Sequence, residues 1–139
     1  MHRDDLGTLI IMNSQQVEDM PWVESGKGPG VKQKTLWQSG SVLLGLMRIE
    51  PGSINPVHTH EHAQHHILVT QGSGEMLGKP VDAGSYVYIP PGTAHGVNHV
   101  GPEGITFFYT YRPVEGEKPR EALRGQHPAV SDAQAAVAF

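Results

Sequence analysis

The sequence predicts an all-β chain, and three observations predict it. Seventeen glycines and eleven prolines in 139 residues cut the chain into pieces too short for a helical bundle, with a hydrophobic fraction of 37%. Between these breakers, residues 31–37, 41–50, 66–70, 86–89 and 106–111 are extended runs rich in Val, Ile, Leu, Thr and aromatics. The length suits one domain, and the connections between the runs are too short to hold a second.

Taken in order, the first apolar run is Thr8 to Met12, and Leu9 to Met12 read as a short strand. Polar Asn13-Ser14-Gln15-Gln16 and the segment Met20-Pro21-Trp22-Val23 follow. Ser25-Gly26-Lys27-Gly28-Pro29-Gly30 lacks the spacing and the following helix of a phosphate loop, so it reads as a flexible connection. In residues 42–49, apolar side chains occupy both parities, as in a strand covered on both faces. Gln71-Gly72-Ser73-Gly74 and Leu77-Gly78-Lys79-Pro80 are turn signals, and 81–84 lead into Tyr86-Val87-Tyr88-Ile89. In the last strong strand, 106–111, Phe107, Tyr109 and Tyr111 share one face and Thr106, Phe108 and Thr110 the other; one set should face inward as core or pocket wall. Beyond Pro113 the tail turns polar and breaker-rich. There Ser131 or Asp132 can cap a short alanine-rich helix that needs docking to be stable.

The densest chemistry lies in residues 52–72, where five of the nine histidines fall within nine positions. His58 and His60 stand two apart, so on a strand both imidazoles share a face and can reach one ion. His65 has the opposite parity, which requires a turn, and Glu61-His62-Ala63-Gln64 supplies it. A purification tag would be uniform and terminal, whereas this tract is internal and bounded by Pro51-Gly52 and Gly72. A second station, residues 84–99, carries Pro90-Pro91-Gly92 and then His95 and His99. Converging imidazoles make a transition-metal site with positions open to water or substrate.

Together the two stretches resemble the cupin family. Its first motif is Gly, five residues, His-x-His, three or four residues, Glu, six residues, Gly; Gly52, His58, His60 and Gly72 fall in register, with His65 in the glutamate slot. Its second is Gly, five residues, Pro-x-Gly, two residues, His, three residues, Asn; Gly84, Pro90, Gly92 and His95 match, with His99 in the asparagine slot. The resemblance implies a single jelly-roll (double-stranded β-helix) barrel over the whole chain, with an N-terminal arm at 1–24 and a tail at 113–139. It implies one divalent ion, iron, manganese, nickel or zinc, on His58, His60, His65 and His95, with Gln64 as the alternative to His65. His99 is expected close to the ligands, and Phe107, Tyr109 and Tyr111 around the pocket. An apolar N-terminal strand pairs with a partner subunit in many cupins, which implies a homodimer.

Composition narrows the function. A net charge of −4 leaves no basic patch for nucleic acid or an anionic membrane, and with no cysteine there is no thiolate site. The N-terminal apolar run is too short for a signal peptide or a membrane span, so the expected location is the cytoplasm. With histidine in the glutamate slot, the resemblance is closest to four-histidine cupins, among them oxygenase-like iron or manganese proteins and zinc polyketide cyclases. The carboxylates nearest in sequence, Glu61 and Glu75, occupy turn-type positions. Three readings follow: an oxygenase acting on a small enolic or aromatic substrate, a redox-neutral cyclase or isomerase, and a binding module without turnover. No coordinated imidazole is free to act as a base, so a substrate must bring its own acidity, as an enol or phenol does.

Overall fold

The computed structural model describes residues 7–114. Among them are one helix, α1 (Ser14–Asp19), and nine strands: β1 (Val23–Glu24), β2 (Val31–Ser39), β3 (Val42–Ile49), β4 (Asn55–His58), β5 (Ala63–Met76), β6 (Lys79–Asp82), β7 (Tyr86–Ile89), β8 (His95–Val97) and β9 (Ile105–Pro113). The all-β expectation holds. Every pairing is antiparallel: one sheet runs β1-β2-β3-β9-β5-β6 with β7 also on β5, and β4 pairs with β8.

The core follows from register. Met47 of β3 lies opposite Phe107 of β9, and Phe107 lies opposite Val69 of β5, so three buried side chains form one row across three strands. Ile49 and Ile105, both fully buried, form the next row, where Gly72 of β5 faces Ile105. Each such side chain contributes about 1.5–3 kcal/mol by leaving water. Along β5 the inward residues are Ala63, His65, Ile67 and Val69, and beyond a register shift between Val69 and Gln71 they are Gly74 and Met76. The shift is a bulge that bends β5 and flips its inward parity, so one 14-residue strand serves both the site and the far end of the barrel.

The short β4–β8 pair closes the opposite wall. Asn55 pairs with Val97 and His58 with His95. Two further ties fix it: the Gly92 amide donates to the His60 carbonyl at 2.8 Å, and Glu75 and Asn98 exchange amide-to-carbonyl bonds of 2.8 and 3.0 Å.

Within the single chain Leu9 to Met12 form no strand, and Leu9 and Ile11 are 85% and 79% exposed. Instead Asn13 and Gln16 make a reciprocal capping box that starts α1, with bonds of 2.9 Å each way. The helix is marginal in isolation and is docked by Lys34, whose buried Nζ donates to the Val17 and Glu18 carbonyls at 2.9 and 3.1 Å and sits 4.6 Å from the centre of the Trp22 ring. The alanine-rich segment 131–139, with His2 and His127, lies outside the described residues. Among those described, no helix is long and apolar enough to cross a membrane.

Gly72 and Gly78 share nearly the same positive φ, 77° and 78°, but only Gly72 is crowded: a Cβ there would run into the Gly104 carbonyl, whereas Gly78 faces open space. Gly78→Ala should cost about 1 kcal/mol, the left-handed backbone penalty alone. Gly72→Ala should cost about 3 kcal/mol or more, because the clash is with backbone. Urea unfolding of the two variants gives the comparison, and equal midpoints would mean the β5–β9 approach is not rigid.

Candidate metal centre

Strand pairing builds the cluster. Because His58 and His95 are direct cross-strand partners, their rings stand 4.3 Å apart centre to centre. His60 follows just after the end of β4, where the Gly92 amide holds its carbonyl and its ring lies 4.9 Å from His58. His65 enters from β5, on the inward parity of Ile67 and Val69, with its ring 4.9 Å from His60 and 5.3 Å from His95. One ring nitrogen from each of His58, His60 and His95 lies within 4.8 Å of the other two. His65 stands beside that trio and completes a ring of four.

Hydrogen bonding orients three of the imidazoles. A backbone carbonyl only accepts, so Nδ1 of each must carry the proton: His58 donates to the Pro56 carbonyl at 2.7 Å, His65 to Thr110 at 2.8 Å and His95 to Thr93 at 2.9 Å. Each Nε2 is left with a free lone pair, the tautomer a metal takes. Nε2 of His60 and of His65 is buried without a partner. Orphaned imidazole nitrogens are costly in a folded protein, and an ion at their convergence would satisfy them. The residues present therefore fit a divalent transition metal bound by imidazoles.

Charge is kept out of the unliganded rings. Desolvation, reinforced by neighbouring histidines and Lys27, pushes His65 and His95 down to about 4 against the opposing pull of their carbonyl bonds. His60 is lowered for the same leading reason.

The remaining candidates are dispersed. Gln64 has the outward parity of β5, and its Oε1 accepts from the Tyr88 hydroxyl at 3.0 Å, so it does not face the cluster. His99 is turned outward, 72% exposed, with Nδ1 2.7 Å from Glu75 Oε2. It lies outside the pocket where it was expected, because its backbone takes a positive φ of 47° after β8 ends. Of the aromatic set, Phe107 and Tyr109 line the pocket, and the Tyr111 ring packs 5.4 and 5.3 Å from those of His60 and His65. Glu61 is exposed, and among the described residues no Asp or Glu lines the pocket.

Two pocket residues escaped the sequence. Asn55 is buried on β4 with Oδ1 unpartnered, its Nδ2 3.9 Å from the Met47 sulfur. Its pairing with Val97 was not readable before β4 was placed. Lys27 reaches the pocket from the segment 25–30, which the sequence suggests is only flexible. Its signal was the lone cation between two glycines.

The two low histidine values have a stability consequence. Both lie below the ordinary 6.5, so between pH 6.5 and about 4 the unfolded chain binds protons that the folded chain does not. The metal-free protein should therefore lose a few kcal/mol as pH falls through that window and be most stable above it. The urea midpoint should drop accordingly, and more shallowly in His65→Gln; a midpoint flat down to pH 4 would mean the two rings are solvated.

The fold is shared with solved structures. The chain is similar to an RmlC-like cupin from Shewanella frigidimarina, at 25% identity over 71% of this chain and 88% of that one, with a TM-score of 0.58. A predicted oxalate decarboxylase from Thermotoga maritima aligns at 19% identity over 76% of this chain and 100% of that one, with a TM-score of 0.64. An uncharacterised double-stranded β-helix protein from Klebsiella pneumoniae aligns at 21% over 80% and 95%, with a TM-score of 0.61. No curated protein matches by sequence. These likenesses establish the double-stranded β-helix barrel. The match of residues 12–115, which span β1 to β9 and every histidine of the cluster, to the ChrR cupin-like domain makes the chain a member of that family within the cupin superfamily.

Proposed function

We propose that the chain is a mononuclear metal-dependent enzyme, with the ion held by His58, His60, His65 and His95, and that it oxygenates a small enolic or aromatic substrate. The observation that carries this reading is the gathering of ring nitrogens of His58, His60 and His95 within 4.8 Å of one another, with Nε2 of His60 and of the adjacent His65 buried and without a partner. A divalent iron, manganese, nickel or zinc ion held there supplies Lewis acidity to a chelating oxygen donor, and the redox-active metals add oxygen chemistry.

The protein's own residues do the rest. Met47, Ile67, Ile89, Val97 and Phe107 make an apolar floor that excludes water. The pocket opens to solvent and offers ≈ 30 Å³, room for about two waters, which suits a small reacting head. Among the described residues no carboxylate lines the wall to act as a base, which favours substrates that are acidic themselves. The uncharged ligand set also favours a second reading, a redox-neutral cyclase or isomerase using zinc.

Metal analysis of protein purified without added metal or a nickel column should find a single equivalent per chain. His58→Ala and His95→Ala should lose most of it, by about tenfold or more in affinity. Metal retained in His65→Ala but lost in Gln64→Ala would refute the four-histidine set. Oxygen uptake with a panel of small enols and phenols separates the two chemistries: turnover that persists without oxygen selects the redox-neutral one.

We also propose a homodimer. The exposed Leu9 and Ile11 and the 51% exposed Val23 on edge strand β1 support it. Sedimentation as a monomer at micromolar concentration would count against it.

A further inference from the structure

Among the described residues, Lys27 is the one Lys or Arg lining the histidine pocket, and no Asp or Glu lines it. Its segment is built rather than loose. The Ser25 amide donates to the Val31 carbonyl at 2.9 Å, the Val31 amide to Gly28 at 3.3 Å, and the Lys27 amide to Ser25 Oγ at 3.2 Å. Gly30, at a φ of 76°, packs against Ser53, and the Glu50 amide donates to its carbonyl at 2.9 Å, which pins the segment to the turn before β4. Lys27 is thereby carried to the pocket wall. Among the described residues its ammonium makes no ion pair and no side-chain hydrogen bond.

The charge of the pocket is therefore unbalanced. Neutral imidazoles cancel none of an ion's two charges, and Lys27 adds a third beside an apolar floor. An entering anion resolves this. An ammonium is a compact point charge suited to one oxygen, and the small space beside it suits a head of a few atoms.

We propose that Lys27 is the specificity-determining residue of this pocket, pairing with the anionic oxygen of a small carboxylate or enolate substrate whose reacting end faces the histidine cluster. This deepens the metal-centre reading above and rests on it for the reacting end alone. Asn55 Oδ1, unpartnered on the same wall, accepts a hydroxyl proton from such a ligand.

The test uses acetate and its neutral isostere acetamide, titrated calorimetrically into zinc-loaded and metal-free protein. Wild type should prefer acetate, Lys27→Met should lose about tenfold in acetate affinity with acetamide unchanged, and Lys27→Arg should retain most of the preference. Zinc content, measured on the same samples, should not fall in either variant; Lys27→Gln replaces Lys27→Met should the methionine variant not fold. Acetate binding in Lys27→Met equal to wild type, or no preference for acetate over acetamide in wild type, overturns the assignment. A wild type that takes up no zinc but still loses its acetate preference in Lys27→Met overturns the metal centre and leaves Lys27 as the anion site.

Discussion

Three backbone carbonyls govern what the histidine cluster can do. By accepting from Nδ1 of His58, His65 and His95, the carbonyls of Pro56, Thr110 and Thr93 fix the tautomer and rotation of each ring. Without them a buried imidazole can place its proton on either nitrogen, and the cluster would be four rings at close range with no common direction. The acceptors come from β4, β9 and the turn before β8, so the orientation of the site depends on the pairing of those strands. The site is preorganised by the barrel's ladder hydrogen bonds.

The bulge in β5 extends the same dependence to the core. Before it, the inward parity carries His65 together with Ile67 and Val69; after it, the parity reverses and Gly74 and Met76 fill the far end. A straight strand would turn either His65 or Met76 to solvent. Gly72, pressed against the Gly104 backbone just beyond the shift, is the residue that lets β5 and β9 stay close after the bend. Motif glycine and cluster histidine are thus parts of one geometric solution.

This explains why some features were legible in the sequence and others were not. The gathering of His58 and His60 was readable because local spacing sets strand parity, and that of His65 and His95 because they fall in the slots of the two motifs. Phe107, Tyr109 and Tyr111 were readable by parity as well. Leu9 to Met12 pair with no strand of their own chain, because apolar content makes a strand only where an edge is offered, and the capping pair Asn13 and Gln16, three residues apart, was the local signal for α1. His99 matched a motif slot by counting, but a positive φ turned it toward Glu75, and counting carries no backbone angle. Lys27 and Asn55 reach the pocket through contacts between elements, which no single stretch encodes.

Histidine rather than glutamate at position 65 and a lysine at 27 are coupled electrostatically. A carboxylate at 65 would cancel one charge of a bound ion and give Lys27 a partner, leaving little call for a negative ligand. His65 does neither, since its imidazole is held neutral at any pH well above about 4. The demand for negative charge then passes from the protein to whatever enters the pocket, where the low-dielectric floor makes the attraction stronger than in water. Neutral molecules of the same shape leave that demand unmet. The proposed selection for an acidic oxygen donor is in this way set by two residues, only one of which belongs to the proposed ligand set.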